Sequence, residues 1–99
     1  MKGKCLPIKI TNETQEHIAR YKQRLLEMSE NDEIGEIDKK IVYIVFNKLS
    51  AYECNILCAY YDLADCSSTK LGNLLGISPG VAAARVKSIN NKIKKMLEL

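Results

Sequence analysis

The 99-residue sequence holds little that interrupts a helix: two prolines and five glycines. What remains is rich in Leu, Ile, Lys, Glu and Ala, which favours helix throughout. No apolar run approaches the roughly 20 residues that cross a bilayer, so no membrane partner is expected. The opening MKGKCLPIKI is basic but lacks a seven-residue apolar stretch and a small-residue cleavage site. It does not read as a signal peptide, and a cytoplasmic protein is expected. A phosphate-binding glycine loop is missing too. The single histidine, His17, has no evident serine or cysteine partner and is placed on a polar helix surface. No enzyme activity, and no cofactor, is expected from these residues.

The four cysteines include no Cys-x-x-Cys knuckle, the usual opening of a small zinc module. Cys54 and Cys58 stand one helical turn apart and could share a metal with Cys66, Cys5 or His17. Buried helical cysteine otherwise behaves as a small hydrophobe, and that is the expectation here: structural thiols and no metal. Disulfides are disfavoured in the cytosol. The acids Glu30, Asp32, Glu33, Glu36 and Asp38 lack the glycine and ligand alternation of a calcium loop. They read as the solvated start of a helix.

Hydrophobic residues make up 46% and charged residues 27%, enough for a packed core and too apolar for disorder. The net charge of +3 is segregated: residues 29–38 carry five acids and no base, whereas residues 67–99 carry six bases and one acid. A basic segment attracts polyanions by displacing their counterions.

Apolar periodicity predicts an all-α fold of about five helices. Residues 1–10 are expected to be extended, as a short strand or an arm lying on the domain, because Pro7 stops helix there. A first helix covers about residues 12–28, started by Asn12 with Gln15 and carrying the stripe Ile18, Tyr21, Leu25 and Met28. That stripe needs cover, from the domain or from a second copy. A polar linker follows at residues 29–33. A second helix, about 33–48, has apolar residues on more than one face and is expected to be largely buried. Ser50 and Glu53 form a capping box for a third helix to about Leu63. Residues 1–33 therefore read as arm, first helix and linker, and residues 34–99 as a helical domain.

Residues 67–97 carry the functional signal, a helix-turn-helix pattern. Ser67 is a fit N-cap for a short helix over Ser68–Leu75, with Leu71, Leu74 and Leu75 inward. Gly72 stands where two helices would cross. Gly76 can take the left-handed conformation that ends a helix. Ser78 caps the next helix and Pro79 takes its first position, where a missing N–H costs nothing. In the helix over residues 79–97, Ala82, Val86, Ile89, Ile93 and Met96 recur every three or four residues and should pack inward. Pro79, Gly80, Ala83, Ala84, Lys87, Ser88 and Asn91 then face outward, and Lys92, Lys94 and Lys95 extend the positive charge.

Residues 49–97 resemble region four of the sigma-seventy family of RNA polymerase sigma factors. The matching strings are Leu49-Ser50 with Glu53–Leu57 and, for the turn, LGNLLGISPG at residues 71–80; Arg85-Val86 match an Arg-Leu pair of the family. The output domains of quorum-sensing-type regulators share the four-helix plan and are the near neighbour. The resemblance implies promoter recognition, with helix 79–97 in the major groove, and docking on RNA polymerase. Residues 1–48 are too short for sigma region two, so a self-sufficient sigma factor is not expected. Lys70 stands where the family usually has Glu, and Ala83 and Ala84 stand where it usually has polar readers.

Alanine offers a base edge only contact with a thymine methyl, whereas Lys and Asn reach donors and acceptors. Lys87 is the main candidate reader, with Ser88 and Asn91 behind it. Ser67, Lys70, Ser78, Arg85 and Lys92 are candidate phosphate contacts. The expected function is a small DNA-binding transcription regulator of the sort phages or mobile elements encode, with duplex DNA as partner. Two other functions compete. One is an adaptor of the same fold that binds RNA polymerase or another partner without reading DNA. The other is a homodimer built on the first two helices.

Overall fold

The computed structural model describes residues 8–31 and 33–98, and these form five helices and no strand. They are α1 (Asn12–Ser29), α2 (Glu36–Asn47), α3 (Ala51–Asp62), α4 (Ser68–Leu75) and α5 (Pro79–Leu97). Pro7 and Cys5 lie outside the described residues.

Thr11, not Asn12, caps α1: its hydroxyl accepts from the backbone N–H of Thr14 at 3.3 Å. Thr14 is fully buried and its own hydroxyl donates to the Leu74 carbonyl at 3.1 Å. The backbone N–H of Lys9 donates to the Leu75 carbonyl at 2.7 Å. Two of the four carbonyls that α4 leaves without helical partners are thus taken by the arm and the head of α1. Of the two expectations for residues 1–10, the described part, 8–10, follows the second: an arm lying on the domain, outside any helix or strand.

The stripe of α1 is covered within the chain. Ile18 and Leu25 are buried, Tyr21 and Met28 pack against the same core, and α1 lies chiefly against α3. The observation that suggested a dimer through the first helices therefore no longer requires one. The core is continuous across all five helices, with Ile56, Leu71 and Leu75 fully excluded from water. Each such side chain contributes roughly 1.5–3 kcal/mol relative to exposure.

α2 departs from expectation in two ways. It begins at Glu36, because Asn31 turns the chain back: its side chain accepts from the Glu33 N–H at 2.8 Å and its carbonyl from the Ile34 N–H at 3.4 Å. Nor is it largely buried. It touches only α1 and α5 to any extent, so Val42, Ile44 and Val45 go inside while Ile37 and Tyr43 stay 65% and 56% exposed.

His17 is not a bare surface residue. Its Nδ1 lies 2.7 Å from Oδ2 of Asp62, the last residue of α3, with Arg20 Nε at 3.4 Å and Arg24 Nη2 at 3.2 Å from the same carboxylate. The Asp62 side chain is 2% exposed. A carboxylate is unfavourable at a helix C-terminus, and these three groups of one α1 face offset that cost. Asp62→Ala should lower stability by roughly 1–3 kcal/mol, the range for removing one partner of a buried polar cluster. Chemical denaturation would read this, and an unchanged midpoint would show that the cluster does not tie α1 to α3.

The α4–α5 connection is built as its residues require. Gly76 has φ of +73° and its N–H returns to the Gly72 carbonyl. Ser78 accepts from the Val81 N–H at 3.2 Å and Pro79 opens α5. A side chain on Gly76 would be strained by that φ and would meet the Lys9 side chain at 3.1 Å. Gly76→Val should cost about 1–2 kcal/mol, measurable as a lowered melting temperature. An undiminished one would mean the turn rearranges freely.

Candidate nucleic-acid interface

Ala82, Val86, Ile89 and Ile93 of α5 are buried and Met96 is half-buried, while Ala83, Ala84, Lys87, Ser88, Asn91 and Lys92 are exposed. No element of the described chain covers that outer face. Ala84, Lys87, Ser88, Asn91, Lys92 and Lys95 line an open trough of about 470 Å³. The sequence placed Ala84, Lys87, Ser88 and Asn91 on one outward face, and it counted Lys92 and Lys95 as added charge, Lys92 also as a phosphate contact. Lys95 stands two turns beyond Ser88 on the same side, so its place was readable from the helical period.

Ser88 and Lys92 also border a second, smaller hollow between α5 and the head of α3. There they meet Ser50, Tyr52, Glu53, Arg85 and Ile89. The Lys92 Nζ lies 3.0 and 3.1 Å from the two Glu53 carboxylate oxygens. Burial alone would push the Glu53 carboxyl up. The Ser50 backbone N–H and the Lys92 ammonium outweigh it and hold Glu53 below the usual carboxylate range. Arg85 is half-buried, and its Nε is shut off from water with no hydrogen-bond partner.

The candidate phosphate contacts are thus less free than the sequence suggested. Lys92 is held by Glu53. Lys70 Nζ lies 3.1 Å from Asp65 Oδ2 at the surface, and the Lys70 ammonium holds the Asp65 carboxyl low. Ser67 and Ser78 both spend an acceptor site on helix caps, to the N–H groups of Lys70 and Val81. Ser67 and Lys70 sit at the head of α4, and neither lines the α5 trough. Lys87, Lys94 and Lys95 make no ion pair among the described residues and are exposed.

Cys54 and Cys58 are buried side by side on α3 with sulfurs 3.9 Å apart, and Cys66 is exposed. The contact with Cys54, together with burial, pushes the Cys58 thiol up, which makes it a poor nucleophile. Among the described residues, no three His, Cys, Asp or Glu side chains converge as a metal cluster. No described helix is long and apolar enough to cross a membrane.

No protein-family model, no curated protein and no solved structure matches this chain.

Proposed function

We propose that the protein is a DNA-binding transcription regulator whose α4–α5 unit acts as a helix-turn-helix, with α5 lying in the major groove of duplex DNA. The observation that carries this reading is the uncovered outer face of α5. It is a basic strip with small residues, Ala83 and Ala84, at its N-terminal half and Lys87, Asn91 and Lys95 beyond. Small side chains let a helix approach a groove closely, and the lysines supply phosphate contacts. Base readout falls to Lys87, Ser88 and Asn91. The two alanines add only methyl contact, so sequence discrimination should be modest. The likeness of residues 49–97 to sigma region four agrees with this use of α5.

An electrophoretic retardation assay with a random duplex at roughly 50 mM salt tests the reading, since nonspecific contacts are strongest at low salt. Amide shifts on titration should concentrate at residues 83–95. Absence of binding by the folded protein would sink it.

A second reading, an adaptor that binds a protein partner such as RNA polymerase, is favoured by one other surface. Tyr43, Ile44, Met96 and Leu97 form an apolar groove flanked by Lys40 and Lys48. Met96 stands nine residues after Lys87, half a turn out of phase at 100° per residue. A partner there would leave the α5 trough open. Polymerase binding that survives Lys87→Glu but is lost in Tyr43→Ser, with no retardation of duplex, would support this second reading.

A further inference from the structure

We infer that Glu53 limits the affinity of the α5 face for nucleic-acid phosphate by holding Lys92 on the α3 side. The inference rests on the duplex-binding reading and adds a residue that the reading does not contain. Lys92 is the wall between two spaces: it lines both the α5 trough and the hollow at the head of α3. In the structure its ammonium is committed to the second, within hydrogen-bond reach of both Glu53 oxygens. Glu53 cannot follow it outward. It is the third residue of α3, and its Oε1 accepts from the Ser50 N–H at 2.9 Å while its own N–H donates to the Ser50 hydroxyl.

The geometry therefore fixes the carboxylate and leaves the lysine as the movable partner. Lys92 is 44% exposed on a four-carbon stem, against 22% for Glu53. A phosphate in the trough competes with Glu53 for one ammonium. While the pair holds, Lys92 contributes little to counterion displacement, and the carboxylate adds repulsion behind it. The Lys70–Asp65 pair is more exposed on both sides, 61% and 52%. Solvent screens it more strongly, so it restrains its lysine less.

A double-mutant cycle on the full chain tests this, with a labelled random 20-base-pair duplex read by fluorescence anisotropy at about 100 mM salt. Glu53→Gln keeps both halves of the capping box, because glutamine serves at that position. It should tighten binding roughly two- to fivefold, the worth of a partly exposed ion pair. Lys92→Ala should change affinity less than about 1.5-fold in the natural background and at least threefold in the Glu53→Gln background. The salt slope should steepen by about 0.9 on Glu53→Gln, as for one added phosphate contact. Glu30→Gln, an equal charge change outside both hollows, measures the nonspecific effect, and thermal melts confirm that all variants are folded. Equal effects of Lys92→Ala in both backgrounds would overturn the inference, as would equal gains from Glu30→Gln and Glu53→Gln. A natural protein that binds no duplex would instead remove the reading beneath it.

Discussion

Gly72→Val should be among the most damaging single substitutions in the protein, lowering stability by roughly 3 kcal/mol or more. A Cβ at residue 72 would lie 2.6 Å from the Ile77 carbonyl oxygen and 3.2 Å from both Pro79 N and Ser78 C. Those atoms are backbone of the turn itself and cannot swing aside as a side-chain end would. Alanine would gain up to about 1 kcal/mol of helix propensity over glycine, but overpacking of this kind costs about 1–3 kcal/mol. Valine adds two more carbons in the same direction. For a domain of this size about 3 kcal/mol corresponds to a fall in Tm on the order of 12–24 °C. Gly80 supplies the control: it lies in the first turn of α5 with nothing within 4 Å of its Cβ position. Gly80→Ala should be neutral or stabilising by up to about 1 kcal/mol. Calorimetry should find a large loss in the first variant and none in the second. A Gly72→Val melting temperature within about 3 °C of the natural protein would show that α4 and α5 do not depend on this close approach.

The contrast between those two glycines also shows where sequence is informative. The α4–α5 connection was legible because its determinants are local: Ser67, Gly76, Ser78 and Pro79 each satisfy a backbone need within a few residues. The inward stripes of α1 and α5 were legible because a helical period fixes which side of a helix is apolar. Neither kind of signal says which neighbour a polar side chain meets. His17 and Asp62 are 45 residues apart, and Lys92 and Glu53 are 39. Their pairing depends on how α1 and α5 are rotated over α3, which no local pattern records. The same blindness misread α2. Its apolar residues on several faces suggested that most of it would be buried, but chiefly α1 and α5 reach it, and Ile37 and Tyr43 are left outside. Thr14 escaped notice because a single threonine in a polar helix carries no sequence sign that its hydroxyl will meet the end of α4.

Duplex affinity should fall about 100-fold between 50 and 200 mM salt, and the reason lies in which cations the structure leaves free. Each phosphate neutralised contributes a slope of about −0.9 in log K against log salt. Lys87, Lys94 and Lys95 are exposed without an ion pair among the described residues, and half-buried Arg85 of the same helix makes none either. Four such contacts give a slope near −3.6, or about two decades over that range. Lys70 and Lys92 would raise the slope beyond −5 if they were equally free, but Asp65 and Glu53 hold them. Lys87→Ala should remove about 0.9 from the slope if it contacts phosphate. If it reads a base instead, it should cost roughly 1–3 kcal/mol at one position of a preferred site and leave random duplex little changed. Lys95→Ala, one step further along the trough, should weaken every sequence alike. Equilibrium titrations at four salt concentrations decide among these outcomes. A slope shallower than about −1, or Lys87→Ala and Lys95→Ala variants that bind like the natural protein at every salt, would mean that the α5 face does not lie against DNA.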